Sequence, residues 1–167
     1  MADTVTPIYG KDRILAFRLF EERTKKAATK LALQTQHTWK FEAKSDSTET
    51  KDGNINSPAT ATATLEIEAI SSLDDVNKML EDAVLHSKML EVWDINLADS
   101  KGSGKYGAKY ARGYLQSWEV PSEIGKLVEL KTTMNVDQLP VSGEATLTSE
   151  QQKEVQYAFA DTTQATE

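Results

Sequence analysis

The sequence predicts a mainly β protein of the α+β kind: an antiparallel β-sandwich or partly open barrel flanked by one α-helix. Two observations support this prediction. Apolar and polar residues alternate in most segments of the chain, and a period of two is typical of a strand with one buried face. Apolar residues at helical spacing occur in a single segment, so βαβ crossovers are few and the strands are expected to pair antiparallel.

The clearest alternation lies in two segments, residues 31–43 and residues 59–69. In the second segment Leu65 and Ile67 share a face opposite Glu66. Together the two segments predict a long two-stranded arm with one buried face. The apolar face of the first segment comprises Leu31, Leu33, Thr35, His37, Trp39, Phe41 and Ala43.

A polar stretch at residues 45–58 separates the two segments of the arm. It contains Ser, Thr, Asp, Asn, Lys and Gly, and Ile55 is its one large apolar residue. We expect a long polar loop here, whereas hairpin loops usually have ~2–5 residues. A loop of this length indicates either disorder or a role in binding.

Residues 72–89 are predicted to form a helix. Ser72 is a favourable N-cap, and Asp75 three residues later completes a signature like a capping box. Asp74 and Asp75 also lie where the positive end of the helix dipole favours carboxylates. We expect the helix to pack on one face of the sheet through an apolar stripe. The stripe comprises Leu73, Val76, Leu80, Ala83, Val84 and Ser87.

Further strands bring the expected total to about seven. The segment 12–20 has apolar residues on both faces, which suits a strand buried on both sides or one that crosses a subunit boundary; a short helix is the alternative. Residues 99–105 are expected to form a loop. The remaining strands are predicted at residues 90–98, 106–119, 126–137 and 141–147.

The chain has 167 residues, which predicts a single domain over 1–167. Residues 1–11 are expected to form an extended N-terminal arm, 149–157 can open a helical turn, and 161–167 form a frayed tail. There is no cysteine, so disulfides and thiolate chemistry are excluded. The net charge of −7 is unsuited to gripping nucleic acid, which proteins hold mainly with cations. The sequence has no run of ~18 apolar residues, so no membrane span is predicted.

The sequence contains no catalytic or metal-binding motif with the residues and spacing that the motif requires. Asp52 opens a stretch like a calcium loop, but Ser57 stands at the position of the sharp-turn glycine. The Gly-Ser-Gly-Lys run at 102–105 lacks the spacing of a phosphate loop. His37 lies on the apolar side of its strand, which favours a satisfied core or interface histidine. We therefore predict no enzymatic activity, no cofactor and no metal.

One aromatic stripe supports an alternative function. Its residues recur every four positions, which fits a helix face, but Gly107 and Gly113 favour a strand. An exposed aromatic platform would make the protein a carbohydrate- or receptor-binding module with a β-sandwich fold. An aromatic stripe is more often part of a core. The stripe comprises Tyr106, Tyr110, Tyr114 and Trp118.

Several phrases, taken together and in order, give the chain a family resemblance. They are LALQTQHT at 31–38, TKDG at 50–53, EVWDI at 91–95, YGAKYARGYL at 106–115, WEVP at 118–121 and GEATLT at 143–148. In this combination the sequence resembles the major tail protein family of long-tailed, non-contractile bacteriophages of the lactococcal type. The resemblance extends from about residue 12 to residue 160.

This resemblance implies a structural virion protein without enzymatic activity. In such families a β-sandwich-like core flanked by a helix assembles into rings, typically hexameric, which stack into a hollow tail tube. Phage DNA is delivered through the tube to the host without specific binding. The implied partners are other copies of the chain and the tape-measure, distal tail and tail terminator proteins. The implied location is the virion tail, assembled in the host bacterial cytoplasm.

The resemblance also suggests roles for particular residues. The polar loop becomes a contact between successive rings, through Asp46, Thr48, Thr50, Lys51, Asp52, Gly53, Asn54 and Ile55. The lumen is expected to carry acidic residues, because duplex DNA bears one negative charge per ~1.7 Å and would slide past them. The candidates for the lumen face are Lys40, Glu42, Glu66 and Glu68.

Overall fold

The structure, a computed structural model, describes residues 5–147. Within that range it contains ten β-strands, one α-helix and two short 3-10 turns, Gly10–Asp12 and Phe20–Glu22. The helical turn expected at 149–157 and the tail at 161–167 lie outside the described residues. The elements are β1 Arg13–Leu19, β2 Thr29–Lys30, β3 Gln34–Glu42, β4 Ser45–Thr50, β5 Gly53–Pro58, β6 Thr62–Ile70, α1 Asp75–Leu85, β7 Leu90–Gly102, β8 Lys105–Leu115, β9 Glu129–Val136 and β10 Val141–Thr146.

Eight of these strands form one antiparallel sheet that branches at β8. The order is β2-β1-β7-β8-β9-β6-β3, and β10 pairs with the first half of β8. Only the last residues of β8 pair with β9. β8 thus changes partner along its length, from β10 to β9. The sheet curls, and the start of β3 comes close enough to β1 for hydrogen bonds between them. The prediction of a mainly β, antiparallel fold with one helix is confirmed, and the barrel is not closed.

A glutamine side chain joins β3, one edge of the sheet, to β1 near the other edge. The Gln34 Oε1 atom accepts a hydrogen bond from Leu15 N at 2.9 Å, and Nε2 donates to Leu15 O at 3.0 Å and to Leu31 O at 2.7 Å. The side-chain amide of Gln34 thus makes with Leu15 the two hydrogen bonds that a neighbouring strand would otherwise make. It holds the start of β3 against β1.

The first segment of the arm begins later than its alternation suggests. The strand starts at Gln34, because Leu33 has a φ of 55° and interrupts the extended backbone. As a result Leu31 is fully buried while Leu33 is 58% exposed. The expectation that both leucines share one strand face is therefore wrong. The pairing of the two segments is confirmed, since β3 and β6 are antiparallel neighbours.

The helix is shorter than the predicted range 72–89. Asp74, not Ser72, is the N-cap, and its carboxylate accepts a hydrogen bond from Asn77 N at 2.8 Å. The Ser72 hydroxyl instead donates to Asp74 at 2.8 Å. Leu73 precedes the helix and is 89% exposed, so it does not belong to the apolar stripe. At the other end Ser87, with a φ of 51°, ends the helical backbone.

The main core lies between α1 and the inner face of the curled sheet. Phe17, Leu65 and Met134 are among its largest side chains, and the helix contributes Val76 and Leu80. Since β1 is buried on both faces, as expected, its even-numbered residues form part of a second cluster. That cluster comprises Ile14, Ala16, Ile95, Tyr106 and Leu147.

Two predicted loops are β-hairpins in the structure. The loop expected at 99–105 is reduced to a turn at Ser103 and Gly104, whose φ angles of 53° and 73° suit a tight hairpin. The polar stretch 45–58 is not a loop but the hairpin β4–β5, with a ladder from Ser45↔Pro58 to Thr50↔Gly53. Among residues 5–147, no helix is long and apolar enough to cross a membrane.

Candidate functional site

Four strands form a section with one packed face and one polar face. β3, β6 and β9 lie side by side, and the end of β8 borders β9. On β6 the inward residues Leu65 and Ile67 are buried, and Glu66 between them is exposed. This alternation produces an outer surface that we call the polar face. It comprises Gln36, Thr38, Lys40, Glu42, Thr62, Thr64, Glu66, Glu68, Tyr114, Lys131, Thr133 and Asn135.

The four candidate lumen residues all lie on this polar face. Lys40 and Glu42 lie on β3, and their side chains form an ion pair with 2.9 Å between Lys40 Nζ and Glu42 Oε1. The hydrogen bond between them raises the pKa of Lys40 and lowers the pKa of Glu42. Glu68 lies opposite Lys131 of β9, whereas Glu66 lies opposite Thr133.

The eight candidate contact residues all lie on the hairpin β4–β5. Every residue of both strands is exposed, and Ile55 is 60% exposed. The pairing Thr48↔Ile55 places Ile55 on the same hairpin face as Asp46 and Thr50. Lys51 and Asp52 form the tip, where Gly53 has a φ of 122° that favours glycine. The hairpin therefore projects from the domain with no core of its own.

A buried carboxylate fixes the base of the arm. Asp94 on β7 is 1% exposed and accepts a hydrogen bond from Arg13 Nε at 3.2 Å and from Trp39 Nε1 at 2.7 Å. His37 Nε2 lies 3.3 Å from the same carboxylate. Burial alone would raise the pKa of Asp94, but the hydrogen bonds from His37 and Arg13 hold it below its ordinary value. His37 is thus a satisfied histidine, as the sequence predicts.

Sequence reasoning missed this cluster because its members are far apart in the chain. Arg13 and Asp94 are separated by 81 residues, and Trp39 and Asp94 by 55. Alternation along β7 offers one signal, since Asp94 falls on the same face as Leu90 and Val92. A carboxylate at such a position needs partners, and only the fold reveals them.

The tyrosine stripe does not form an exposed platform. Tyr106 is buried, and Trp118 packs against the main core. The Tyr110 hydroxyl donates to Glu91 at 2.6 Å, and burial together with Glu91 raises the pKa of Tyr110 to about 12. Tyr114 alone is exposed, on the polar face, so no observation favours the alternative of a carbohydrate- or receptor-binding module.

Comparison with solved structures identifies the class of fold. The chain superimposes on the SPP1 tail tube with a TM-score of 0.72 and 20% sequence identity, covering 96% of this chain and 95% of that chain. The virion of a native gene transfer agent particle gives a TM-score of 0.62 at 10% identity, with 82% of this chain and 99% of that chain covered. The fold is that of the tail tube.

Comparison of sequences identifies the family. Residues 7–142 match the family described as phage tail tube protein, and the chain belongs to that family. A tail protein of Staphylococcus phage phiMR25 is 30% identical over 163 residues, covering 93% of this chain and 83% of that protein. The resemblance predicted from sequence is confirmed: the chain is a structural component of the virion, and its place is the tail tube.

Proposed function

We propose that copies of this chain associate into hexameric rings and that the rings stack into the hollow tube through which phage DNA passes to the host. The observation that carries this proposal is the polar face of β3, β6, β9 and the end of β8, a wide surface without an apolar patch. The tail of an empty gene transfer agent particle was solved with C6 symmetry, and its subunit has a TM-score of 0.60 to this chain. That likeness supports a sixfold ring here.

The polar face is the proposed lumen surface. Its threonine and asparagine side chains are neutral, and Lys40 and Lys131 have carboxylates beside them at Glu42 and Glu68. Glu66 adds a negative charge without a cation directly opposite it. A surface on which a carboxylate lies beside each cation, with one further carboxylate, repels phosphates weakly, so DNA slides through without specific binding.

Closure of the ring is proposed to involve the hairpin-proximal end of β3. Within residues 5–147 no strand pairs with the outer edge of β3, which is one end of the eight-stranded sheet. An uncovered edge invites pairing with another chain. In a closed ring each copy covers the edge of the next at Lys40–Glu42, so no edge is left exposed.

The hairpin β4–β5 is the proposed contact between successive rings. Its length of six residues per strand corresponds to about 20 Å, enough to leave its own ring. Assembly is proposed to occur in the host cytoplasm with tape-measure, distal tail and tail terminator proteins as further partners. No catalytic role is proposed for any residue.

Negative-stain electron microscopy of the concentrated protein tests the proposal. We expect the wild-type chain to form tubes, and a variant with residues 45–58 replaced by a short Gly-Ser linker to form rings without tubes. A well-folded wild-type protein that stays monomeric at every concentration, and that does not elongate isolated tail tubes added as seeds, would contradict the proposal.

A further inference from the structure

A basic groove lies between β1 and β3, where the two ends of the sheet approach each other. It has a volume of about 890 Å³ and separates the first residues of β1 from the first half of β3. Its lining contains no carboxylate in the part of the chain that the structure describes, whereas the whole chain has a net charge of −7. The cationic side chains that line it are Lys11, Arg13, Lys30 and Lys109, with His37 beside them.

Three of these cations have no carboxylate partner within residues 5–147. Lys11 Nζ lies 5.7 Å from the centre of the Tyr9 ring, and Lys109 Nζ lies 5.7 Å from the centre of the Phe41 ring. Lys30 forms no ion pair among the described residues. Arg13 alone is neutralised, by Asp94 below the groove. The groove therefore presents a concentrated positive charge that is available to an acidic segment of another molecule.

The hairpin β4–β5 has the complementary charge. Asp46, Glu49 and Asp52 outnumber Lys51, and all four side chains are exposed. Apolar surface matches as well, since Ile55 is 60% exposed on the hairpin and Leu33 is 58% exposed in the wall of the groove. Opposite charges around a small apolar contact favour specific docking more than strong affinity.

The hairpin is exposed throughout, and within residues 5–147 no hydrogen bond or ion pair joins it to the groove of its own chain. β3 begins at the groove and ends where the hairpin starts, and its nine residues span about 30 Å. The hairpin and the Leu33 end of the groove thus lie at opposite ends of one strand, while the groove extends along β3 as far as Trp39. A contact between opposite ends of identical molecules does not close on itself, and it propagates along an axis as copies are added.

From this placement we infer that the hairpin tip of one copy docks in the basic groove of the copy stacked on it in the next ring. The inference rests on the proposed function and names the surface that receives the hairpin. Glu49 and Asp52 lie against Lys11, Lys30 and Lys109, and Ile55 packs against Leu33. The groove is large enough for a few side chains, because volumes of ~300–1,000 Å³ hold drug-sized ligands.

Two charge-reversed variants test the inference. The first changes the groove, Lys11→Glu with Lys30→Glu, and the second changes the hairpin, Glu49→Lys with Asp52→Lys. Each variant alone brings like charges together, so we expect mean tube length at 0.15 M salt to fall at least about tenfold. Rings persist in both, and circular dichroism and thermal unfolding stay as in the wild type.

Mixing the two variants provides the decisive measurement. The reversed groove of the first accepts the reversed hairpin of the second, and the unchanged groove of the second accepts the unchanged hairpin of the first. We therefore expect an equimolar mixture to recover tubes of wild-type length. A variant with Lys25→Glu and Lys105→Glu is the control, because it has the same charge change on exposed lysines outside the groove.

The outcomes separate the inference from the proposed function. If wild-type tubes form and the groove variant alone also forms full-length tubes, or the folded variants stay unassembled when mixed, the inference is wrong while the tube stands. If the wild-type chain forms neither rings nor tubes under any condition, the proposed function fails and the inference fails with it.

Discussion

At the scale of single residues, buried polar groups determine how the sheet curls. Asp94 ties β1, β3 and β7 together through Arg13 and Trp39. Gln34 joins β3 to β1 through the backbone of Leu15. Such groups contribute to stability only while every partner is present, because a buried polar atom without a partner is costly.

Replacing Asp94 with asparagine tests this dependence. Asp94→Asn removes the charge that Arg13 faces, and breaking a buried ion pair costs about 3 kcal/mol. We expect the free energy of unfolding in urea to fall by about that amount. Asp99→Asn on the same strand is the control, since Asp99 pairs with Lys101 at the surface and such pairs contribute ~0–1 kcal/mol. Equal losses in the two variants would contradict the role given to Asp94.

The same carboxylate makes stability depend on pH. The pKa of Asp94 is lower in the folded state than its ordinary value of 3.8, so the folded protein binds this proton less readily than the unfolded chain does. The stabilisation is complete above about pH 5, where the unfolded carboxyl is also ionised, and it is lost as the pH falls through the folded pKa. We expect urea unfolding midpoints of the wild type to fall more steeply below pH ~4 than those of Asp94→Asn.

A glycine at the branch of the sheet gives a steric test. A Cβ atom at Gly113 would lie 1.9 Å from the backbone oxygen of Asn135, where β8 and β9 meet. Because the backbone cannot move without opening the sheet, we expect Gly113→Ala to cost at least ~3 kcal/mol, at the upper end of overpacking. Gly143→Ala is the control, since nothing lies within 4 Å of its added atom. Thermal unfolding measures both.

At the scale of elements, the difference between predicted and observed structure follows what each segment buries. Alternation predicted β6 and β9 because both have a buried apolar face. The hairpin β4–β5 was predicted as a loop because both its faces are exposed, so no apolar pattern marks its strands. The break at Leu33 and the partners of Asp94 depend on contacts far along the chain, which local pattern does not contain.

The start of the helix offers a test at this scale. Asp74 caps α1 by accepting from Asn77 N, and removing an N-cap costs about 1 kcal/mol. We expect Asp74→Ala to lower the free energy of unfolding by that amount and Ser72→Ala by less, because the Ser72 hydroxyl accepts from the Asn77 side-chain amide at 3.0 Å and not from the backbone N–H of the helix. A larger effect of Ser72→Ala would indicate that Ser72 is the N-cap, as predicted from the sequence.

At the scale of the whole molecule, the polar face and the two ends of the arm are proposed to make different contacts in the tube. The face is proposed to border the DNA, the edge of β3 to meet the ring neighbour, and the hairpin to meet the next ring. The polar character of the face could be predicted from alternation, but the groove could not, because Lys11, Lys30 and Lys109 come together only in the fold.

Charge reversal on the polar face tests the proposed lumen. Glu66→Lys with Glu68→Lys turns a surface that repels phosphate into one that binds it, so we expect DNA delivery to be slowed or blocked while tubes still grow. Phage adsorption and DNA ejection assays, with electron microscopy of the tails, measure the two effects separately. Glu123→Lys in an exposed connection is the control. Normal infectivity of the double variant would exclude these residues from the DNA path.

The exposure of the hairpin has a consequence for handling the protein. Lys51 is the only basic residue between positions 45 and 58, and it lies at a tip, the kind of site where proteolysis concentrates. Trypsin should therefore nick the unassembled chain at Lys51 and spare it once the tip is seated in a neighbour. The fraction of chains cleaved after Lys51 then reports how much protein remains unassembled, and it can be measured on a gel without a microscope.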